Sequence, residues 1–195
     1  MNDQYITVTN NISEGFYSEK RSKFLAFLHH VTTVDEAMDI VKQYRKKYYD
    51  ARHCCYAYVL GADRSVFRAN DDGEPSSTAG KPILGQLNKE ELTDVLLVVI
   101  RYYGGVNLGT GGLIVAYRTA AQEAIAAAEK VSRCVEATIV YDFSYPMMNA
   151  VMRVVKETGA RIVDQQFDNA CQITLSIRKS EAEMLKSRLD KLSFE

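Results

Sequence analysis

The sequence lacks several features that define common classes of protein. Its longest run of aliphatic residues, 95–100, has six members, whereas a membrane-spanning helix needs about 20. The polar start, with Asn2, Asp3 and Gln4, does not have the pattern of a signal peptide. The net charge is −1, so no overall field draws the chain to nucleic acid or to an anionic membrane. We therefore expect a soluble, cytoplasmic protein with no membrane partner, in which any nucleic-acid binding comes from a local patch.

The cysteine patterns typical of metal sites are also missing. The four cysteines are Cys54, Cys55, Cys134 and Cys171, and none of them forms a C-x-x-C pair. Two adjacent cysteines do not easily share one tetrahedral metal site. The sequence accordingly predicts reduced and mostly buried thiols, with no metal and no cofactor.

Length and the pattern of apolar residues predict two domains of an α+β protein. A chain of 195 residues allows one large domain or two small ones. The composition changes near Arg133, which predicts domains at 1–133 and 134–195. The second has the order β-α-β-β-α, with a turn at Asp168 and Asn169. This order is close to a ferredoxin-like unit that lacks one strand.

The most informative stretch is a strand that runs into a glycine-rich loop. Residues 95–100 predict a strand buried on both faces, and Arg101, Tyr102 and Tyr103 follow it. A helical pattern then starts at Leu113. Between them lie Thr110 and five glycines within nine residues, which are Gly104, Gly105, Gly109, Gly111 and Gly112. Backbone N–H groups and a helix N-terminus thus lie opposite the end of a core strand, which suits an anion.

Two common phosphate-binding motifs do not fit this loop. A P-loop requires lysine after its last glycine, but Gly109 is followed by Thr110. The dinucleotide fingerprint requires glycine at its sixth position, which is Ile114 when counted from Gly109. A looser match is Gly-Thr-Gly-Gly-Leu at a helix start, similar to the phosphate loop of small-molecule kinases with a ribosomal-S5-like fold. The alternative to a binding loop is that the glycines only permit positive φ angles and close packing. Five glycines together, next to Arg101, favour a binding surface.

A second candidate segment is the acidic loop 70–82. Asp71, Asp72 and Glu74 either cap the local backbone and the following helix, or hold Mg²⁺ or act as a general base. The spacing does not match an EF-hand, and no second carboxylate cluster completes a metal site. Ser76 and Thr78 in the same loop are candidate ligands for a phosphate or for RNA.

His53 is a further candidate for acid–base work, at the start of a predicted strand. A lone histidine is more often structural, and Cys54 beside it raises the question of a Cys–His pair. Adjacent residues in a strand point to opposite faces, so His53 cannot activate Cys54 directly. The sequence therefore predicts no nucleophilic pair at this position.

Two basic clusters lie outside the glycine loop. Arg21 and Lys23 belong to a short charged turn, which is either a solvated turn or a corner that contacts phosphate. The end of a predicted helix carries Lys42, Arg45, Lys46 and Lys47, where the helix dipole favours positive charge. The same helix end, with tyrosines interleaved, is an alternative surface for nucleic acid or for a protein partner.

Three segments taken together resemble the IMPACT family, including its bacterial YigZ-like members. They are residues 53–58 (His-Cys-Cys-Tyr-Ala-Tyr), 71–80 (Asp-Asp-Gly-Glu-Pro-Ser-Ser-Thr-Ala-Gly) and 101–113, from Arg101 through the glycines. Residues 21–24 are similar to a basic motif near the N-terminus of the family. Ser77 stands where members usually have glycine, and Tyr103 and Asn107 stand where they usually have Phe and Lys. Without that lysine, Arg101 and the backbone supply the positive potential.

The resemblance implies a fold and a field of function. It implies an N-terminal domain of ribosomal-S5 domain-2-like fold and a ferredoxin-like C-terminal domain similar to one in translation elongation factor G. Both folds recur in ribosome-associated proteins, and eukaryotic members regulate translation by binding the activator of an initiation-factor kinase. That kinase system is absent in bacteria, so the resemblance implies RNA or ribosome contact for a short two-domain member. It supplies no catalytic residue.

Three hypotheses for function follow. The first is a non-enzymatic regulatory or binding protein of the translation machinery, with RNA, the ribosome or a translation-related protein as partner. Arg21, Lys23, Arg101 and the glycine-loop backbone would meet phosphates, and Tyr102 and Tyr103 would stack on bases. The second is a Mg²⁺-dependent enzyme acting on a phosphorylated small molecule or nucleotide. The glycine loop would hold the phosphate, and Asp71, Asp72 or Glu74 would hold Mg²⁺ or act as general base. The third is a protein–protein interaction module that uses the basic helix end.

Overall fold

The structure is a computed structural model that describes residues 3–167 and 170–193. It is an α+β protein in two compact units. Residues 5–133 form the larger unit, and residues 134–195 together with 1–4 form the smaller one. Among the described residues, no helix combines the length and the apolar character that crossing a bilayer requires.

The larger unit is built on a five-stranded sheet with the strand order β2-β3-β6-β4-β5, in which every pairing is antiparallel. Two further strands, β1 and β7, pair separately. The elements in chain order are β1 (Gln4–Val8), β2 (Ser13–Glu19), β3 (Ser22–His30), α1 (Val34–Lys47), β4 (His53–Leu60), β5 (Val66–Asn70), α2 (Gly80–Lys89), β6 (Val95–Tyr102), α3 (Gly109–Ala126) and β7 (Lys130–Cys134).

Strand β6 lies at the centre of the sheet and is buried on both faces, which confirms the prediction for residues 95–100. Side chains of Leu96, Val98 and Ile100 join the core beneath α1. Val95, Leu97 and Val99 join the opposite core, beneath α2 and α3. The period of two along a strand thus divides the apolar run between two separate cores.

Helix α3 begins at Gly109 rather than at Leu113, where the apolar pattern starts. Three of the five glycines therefore lie in its first turn and not in the loop. Four of its buried residues are alanines (Ala116, Ala120, Ala121 and Ala124), so the backbone of α3 approaches the sheet closely there. A Cβ at Gly15 of β2 would lie 2.3 Å from the backbone nitrogen of Ala124, and only glycine allows this contact.

The smaller unit has one three-stranded antiparallel sheet with the order β8-β10-β9. Its elements follow the predicted order β-α-β-β-α, and its core lies between the sheet and the two helices. The predicted turn at Asp168 and Asn169 lies outside the described residues. The elements are β8 (Glu136–Phe143), a 3₁₀ turn (Tyr145–Met147), α4 (Met148–Thr158), β9 (Arg161–Phe167), β10 (Cys171–Arg178), a second 3₁₀ turn (Lys179–Glu181) and α5 (Ala182–Leu192).

One buried histidine in the larger unit predicts how stability depends on pH. The Nε2 atom of His29 lies 2.8 Å from the hydroxyl of Tyr44, and burial lowers the pKa of His29 below its usual value. The folded state thus favours the neutral ring, while the unfolded chain protonates near pH 6.5. Stability is fully present above that pH and falls as the pH drops below it.

We expect His29→Gln to flatten the fall in unfolding free energy between about pH 7.5 and 5. Urea unfolding at several pH values measures this dependence. Burial also lowers the pKa of His30, so a smaller slope remains in the variant. A slope as steep as that of the parent protein would contradict the assignment to His29.

Candidate anion-binding pocket

A pocket of about 500 Å³ opens in the larger unit at the end of β6. Three segments that are distant in the sequence contribute to its wall: the start of β4, the acidic loop, and the glycine loop with the first turn of α3. The pocket wall includes the side chains of His53, Glu74, Arg101, Tyr103 and Thr110, together with the backbone of Gly109.

The pleat of β6 explains why Arg101 points into this pocket. Arg101 continues the row of Val95, Leu97 and Val99, which faces α2 and α3. In the neighbouring strand β4 its partner in register is His53. Directly opposed residues on one face of a sheet lie side by side, so the two side chains share the pocket wall.

Arg101 forms a buried ion pair with Glu74. The Nη1 atom of Arg101 lies 2.6 Å from Oε1 of Glu74, and the two side chains are 6% and 3% exposed. The hydroxyl of Tyr117 donates to the same oxygen at 2.7 Å, and burial raises the pKa of Tyr117, so its proton stays in place. The Nε atom of Arg101 is buried and has no hydrogen-bond partner among the described residues. One donor of the guanidinium therefore remains unused.

His53 is oriented by the backbone of the acidic loop. Its Nδ1 atom lies 2.7 Å from the carbonyl oxygen of Asp72. A carbonyl only accepts, so Nδ1 is the donor and carries a proton. The other ring nitrogen, Nε2, faces Oε2 of Glu74 at 3.6 Å, which is too long for a hydrogen bond.

The N-terminus of α3 completes the pocket wall. Leu108 precedes the helix, no side-chain cap bonds to the first turn, and that turn contains no acidic residue. The first N–H groups of a helix have no partner within the helix and carry partial positive charge. Gly109 has a φ of 73°, a left-handed conformation that glycine adopts without strain. The turn thus presents free donors to an anion.

The glycine loop is held in position by the β2–β3 hairpin. The backbone nitrogen of Gly104 donates to Oγ of Ser22 at 3.1 Å. A Cβ on Gly104 would lie 2.2 Å from the backbone of Arg21, so no other residue fits there. The hairpin turn has a positive φ at both Lys20 and Arg21, as a tight hairpin turn requires. The hydroxyl of Tyr103 lies 3.1 Å from Oδ1 of Asn107 and closes the loop.

Two of the predicted acidic residues make local structural contacts instead of lining the pocket. Asp71 accepts hydrogen bonds from the backbone nitrogens of Ser77, Ala79 and Gly80 and thereby caps α2. Asp72 pairs with Arg45 at 2.7 Å and accepts from the backbone of Cys54 at 2.7 Å. Within residues 3–167 and 170–193, no three His, Cys, Asp or Glu side chains form a group that could hold a metal ion.

Other predicted site residues lie away from the pocket. Tyr102 faces the α1 side of the sheet, where its hydroxyl donates to Asp50 at 2.9 Å. Lys23 is the register partner of Tyr102 and shares that side. Thr78 is buried, and its hydroxyl donates to the carbonyl of Pro75. The remaining ones are outside the pocket wall: Arg21 and Ser76 are exposed, Gly105 is in the loop, and Gly111 and Gly112 line a separate cleft.

The two adjacent cysteines are held as protonated thiols. Cys54 lies in the core under α1 and Cys55 in the core under α2 and α3, on opposite faces as expected. Burial raises the pKa of Cys54 to about 11 and also raises that of Cys55. A thiolate nucleophile is therefore disfavoured at both positions.

Sequence reasoning missed two parts of the site. Tyr117 lies on the buried face of α3, but nothing in the sequence indicates that its hydroxyl reaches Glu74. Arg52 lines the pocket and directly precedes the segment 53–58. An exposed arginine carries no sequence signal of its own. The orientation of Arg101 could have been derived, because it follows from counting in steps of two along residues 95–101.

The fold and the site define a class: a two-unit α+β protein whose larger unit has a pocket, lined in part by charged side chains, at the end of its central strand. Residues 20–125 match the family model described as the Impact N-terminal domain. That segment covers more than half of the chain, and a relative with the same family name matches along most of it. The chain belongs to the IMPACT family, as its motifs indicated.

Two curated relatives and one solved structure illustrate the similarity. An IMPACT family member from Haemophilus influenzae is 32% identical over 176 residues, which are 89% of this chain and 85% of the relative. The IMPACT family member YigZ from Escherichia coli is 44% identical over 108 residues, which are 54% of this chain and 53% of the relative. The crystal structure of a hypothetical protein aligns with a TM-score of 0.77 at 27% identity, covering 99% of this chain and 94% of the other.

The buried ion pair predicts a non-additive effect on stability. Glu74→Leu leaves the Arg101 charge buried without its partner, and we expect a loss of about 3–5 kcal/mol in unfolding free energy. The double change Glu74→Leu with Arg101→Met removes both charges and should recover a large part of that loss. Urea unfolding of the single and double variants measures the coupling. Additive losses would show that the two side chains do not depend on each other.

The close approach at Gly104 predicts opposite effects at two glycines. Gly104→Ala places a Cβ against the backbone of Arg21, and we expect a loss of about 1–3 kcal/mol in stability. Gly85→Ala is the matched control, because Gly85 is an exposed position inside α2 with no atom near the added Cβ. That change should stabilise the protein by about 0.5–1 kcal/mol. Thermal or urea unfolding distinguishes the two, and a neutral Gly104→Ala would contradict the contact.

Proposed function

We propose that the larger unit binds single-stranded RNA by holding one backbone phosphate in the pocket, and that the protein acts on the translation machinery as a non-enzymatic binding or regulatory protein. The observation that carries the proposal is that two sets of donors line one pocket. They are the buried guanidinium of Arg101 and the uncapped N-terminus of α3.

The charges around the pocket favour an anion. Arg101 and Glu74 compensate each other, which leaves the exposed guanidinium of Arg52 and the partial charge of the α3 N-terminus. Both are positive. Because the donors are already in place before any ligand arrives, little ordering is needed on binding, and such preorganisation favours affinity.

The size of the pocket favours a nucleotide over a free phosphate. A volume of about 500 Å³ exceeds what a phosphate ion fills and lies in the range of small-molecule sites. Tyr103 is 47% exposed at the rim, and its ring offers a face on which a base can stack. A backbone phosphate would then lie inside the pocket while a neighbouring base stacks on Tyr103, and proteins recognise single-stranded RNA by such stacking of unpaired bases.

The placement of the carboxylates favours binding over magnesium chemistry. Asp71 caps α2 and Asp72 pairs with Arg45, so both are committed elsewhere. Glu74 lines the pocket, but its Oε1 already accepts from Arg101 and Tyr117. A Mg²⁺ site in a phosphoryl enzyme draws on carboxylates that face the substrate phosphates, and this arrangement does not supply them.

The connection with translation rests on family and fold. The chain belongs to the IMPACT family, and its motifs imply ribosomal-S5-like and ferredoxin-like domains. The smaller unit supports the second inference, because β10 lies between β8 and β9 and is antiparallel to both, as in a split β-α-β arrangement. We infer from this that ribosomal RNA or a ribosome-bound RNA is the partner.

Thr110→Asp tests the phosphate site without removing a buried residue. Thr110 is exposed in the first turn of α3, where a carboxylate interacts favourably with the helix dipole but repels a phosphate. We expect unchanged or slightly higher stability and at least about tenfold weaker binding of a fluorescent single-stranded RNA at low salt. Fluorescence anisotropy measures the affinity, and binding of the parent protein should weaken as salt rises.

Gln122→Asp is the matched control for charge. Gln122 is exposed on the same helix, in its last turns and outside the pocket wall. The control should bind RNA as the parent protein does. Equal weakening in both variants would indicate a general charge effect, and absence of RNA binding by the parent protein at low salt would refute the proposed function.

A further inference from the structure

The pocket contains a pair of polar atoms whose hydrogen bonding is incomplete. Nδ1 of His53 is committed as donor to the carbonyl of Asp72, so a neutral ring presents Nε2 as an acceptor. That acceptor faces a second one, Oε2 of Glu74, at 3.6 Å. Two acceptors side by side need a donor, which is a second proton on His53, a water molecule or a donor group of a ligand.

A hydroxyl group can lie between the two atoms of this pair and bond to one or both of them. An oxygen at the usual hydrogen-bond distance of about 2.8 Å can be reached from both atoms at once, because they are separated by less than twice that length. Such a hydroxyl donates its proton to Glu74 or to neutral His53, and it accepts from Nε2 when His53 is protonated.

The acceptor pair of His53 and Glu74 lies next to Arg101, which we propose contacts the phosphate, and this proximity points to a sugar. Glu74 is bonded directly to Arg101 through Oε1 and Nη1, so the acceptor pair and the guanidinium of Arg101 belong to one connected group that lines the pocket. A ligand that fills both parts carries an anionic group and a hydroxyl only a few bonds apart. In RNA, the 2′-hydroxyl lies on the carbon next to the one that bears the 3′-phosphate, and DNA lacks it.

We propose that Glu74 and His53 read the ribose 2′-hydroxyl next to the bound phosphate, so that the pocket selects RNA over DNA. This inference rests on the proposed function and adds the residues that set its specificity. With deoxyribose in the pocket, the two acceptors face a carbon and lose water without gaining a donor. A buried polar group left unpaired in this way costs binding energy, which is how such sites reject analogues that lack one hydroxyl.

The test compares three oligonucleotides of one sequence on the parent protein. They are the RNA, the DNA, and RNA with 2′-fluoro sugars, which keeps the shape of the ribose but has no proton to donate. Competition against a fluorescent RNA gives the three affinities at one fixed salt concentration. We expect both analogues to bind about tenfold more weakly than the RNA.

The outcomes separate this inference from the proposed function. Equal binding of RNA and DNA would overturn the 2′-hydroxyl contact while leaving phosphate binding in place. If 2′-fluoro RNA binds as tightly as RNA and only DNA is weaker, the preference comes from sugar shape and the contact is also overturned. Failure of all three to bind would refute the proposed function itself.

His53→Gln assigns the discrimination to this pair. We expect the ratio of DNA to RNA dissociation constants to fall at least about threefold, because one of the two atoms that contact the hydroxyl is replaced. His30→Gln is the matched control, since His30 lies at the opposite end of β3 and outside the pocket wall. The control should keep the ratio of the parent protein. An unchanged ratio in His53→Gln would overturn the assignment.

Discussion

The two-sided burial of β6 is the constraint on which the larger unit depends. Its aliphatic residues alternate between a core under α1 and a core under α2 and α3, so a shift of one residue would exchange every side chain between the two cores. The alternation extends past the apolar run. It sends Arg101 towards α3 and Tyr102 towards α1, and the location of the pocket follows directly from it.

The ion pair of Arg101 and Glu74 shows how two charged side chains are accommodated in the buried interior beneath α3. Two charges removed from water are costly, and their attraction offsets this only when further hydrogen bonds satisfy the remaining atoms. Tyr117 supplies one of these bonds. Oε2 of Glu74 lies 3.6 Å from Nε2 of His53, too far for a hydrogen bond, and both side chains line the pocket. A polar atom that lacks a hydrogen bond and borders a cavity is available to bond with a ligand.

The acidic loop illustrates how one cluster of similar residues divides into different roles. Asp71 and Asp72 are adjacent, yet one caps α2 and the other pairs with Arg45 of α1. Through its backbone carbonyl, Asp72 also fixes the ring of His53. This turn therefore caps α2, pairs with a side chain of α1 and orients His53 in the pocket. Glu74 alone of the three contributes its carboxylate to the pocket.

Sequence patterns were sufficient for the features that depend on neighbours along the chain. The buried strand at residues 95–100, the placement of Cys54 and Cys55 on opposite faces, the β-α-β-β-α order and the family all follow from local periodicity or from motifs. The start of α3 was placed too late, because glycines weaken the helical signal although they occupy its first turn. Only the tertiary structure decided which acidic residue meets Arg101, because Glu74, His53 and Tyr117 come from segments whose approach depends on sheet register and helix packing. Periodicity encodes which face a residue occupies, whereas long-range packing decides which residues on that face meet.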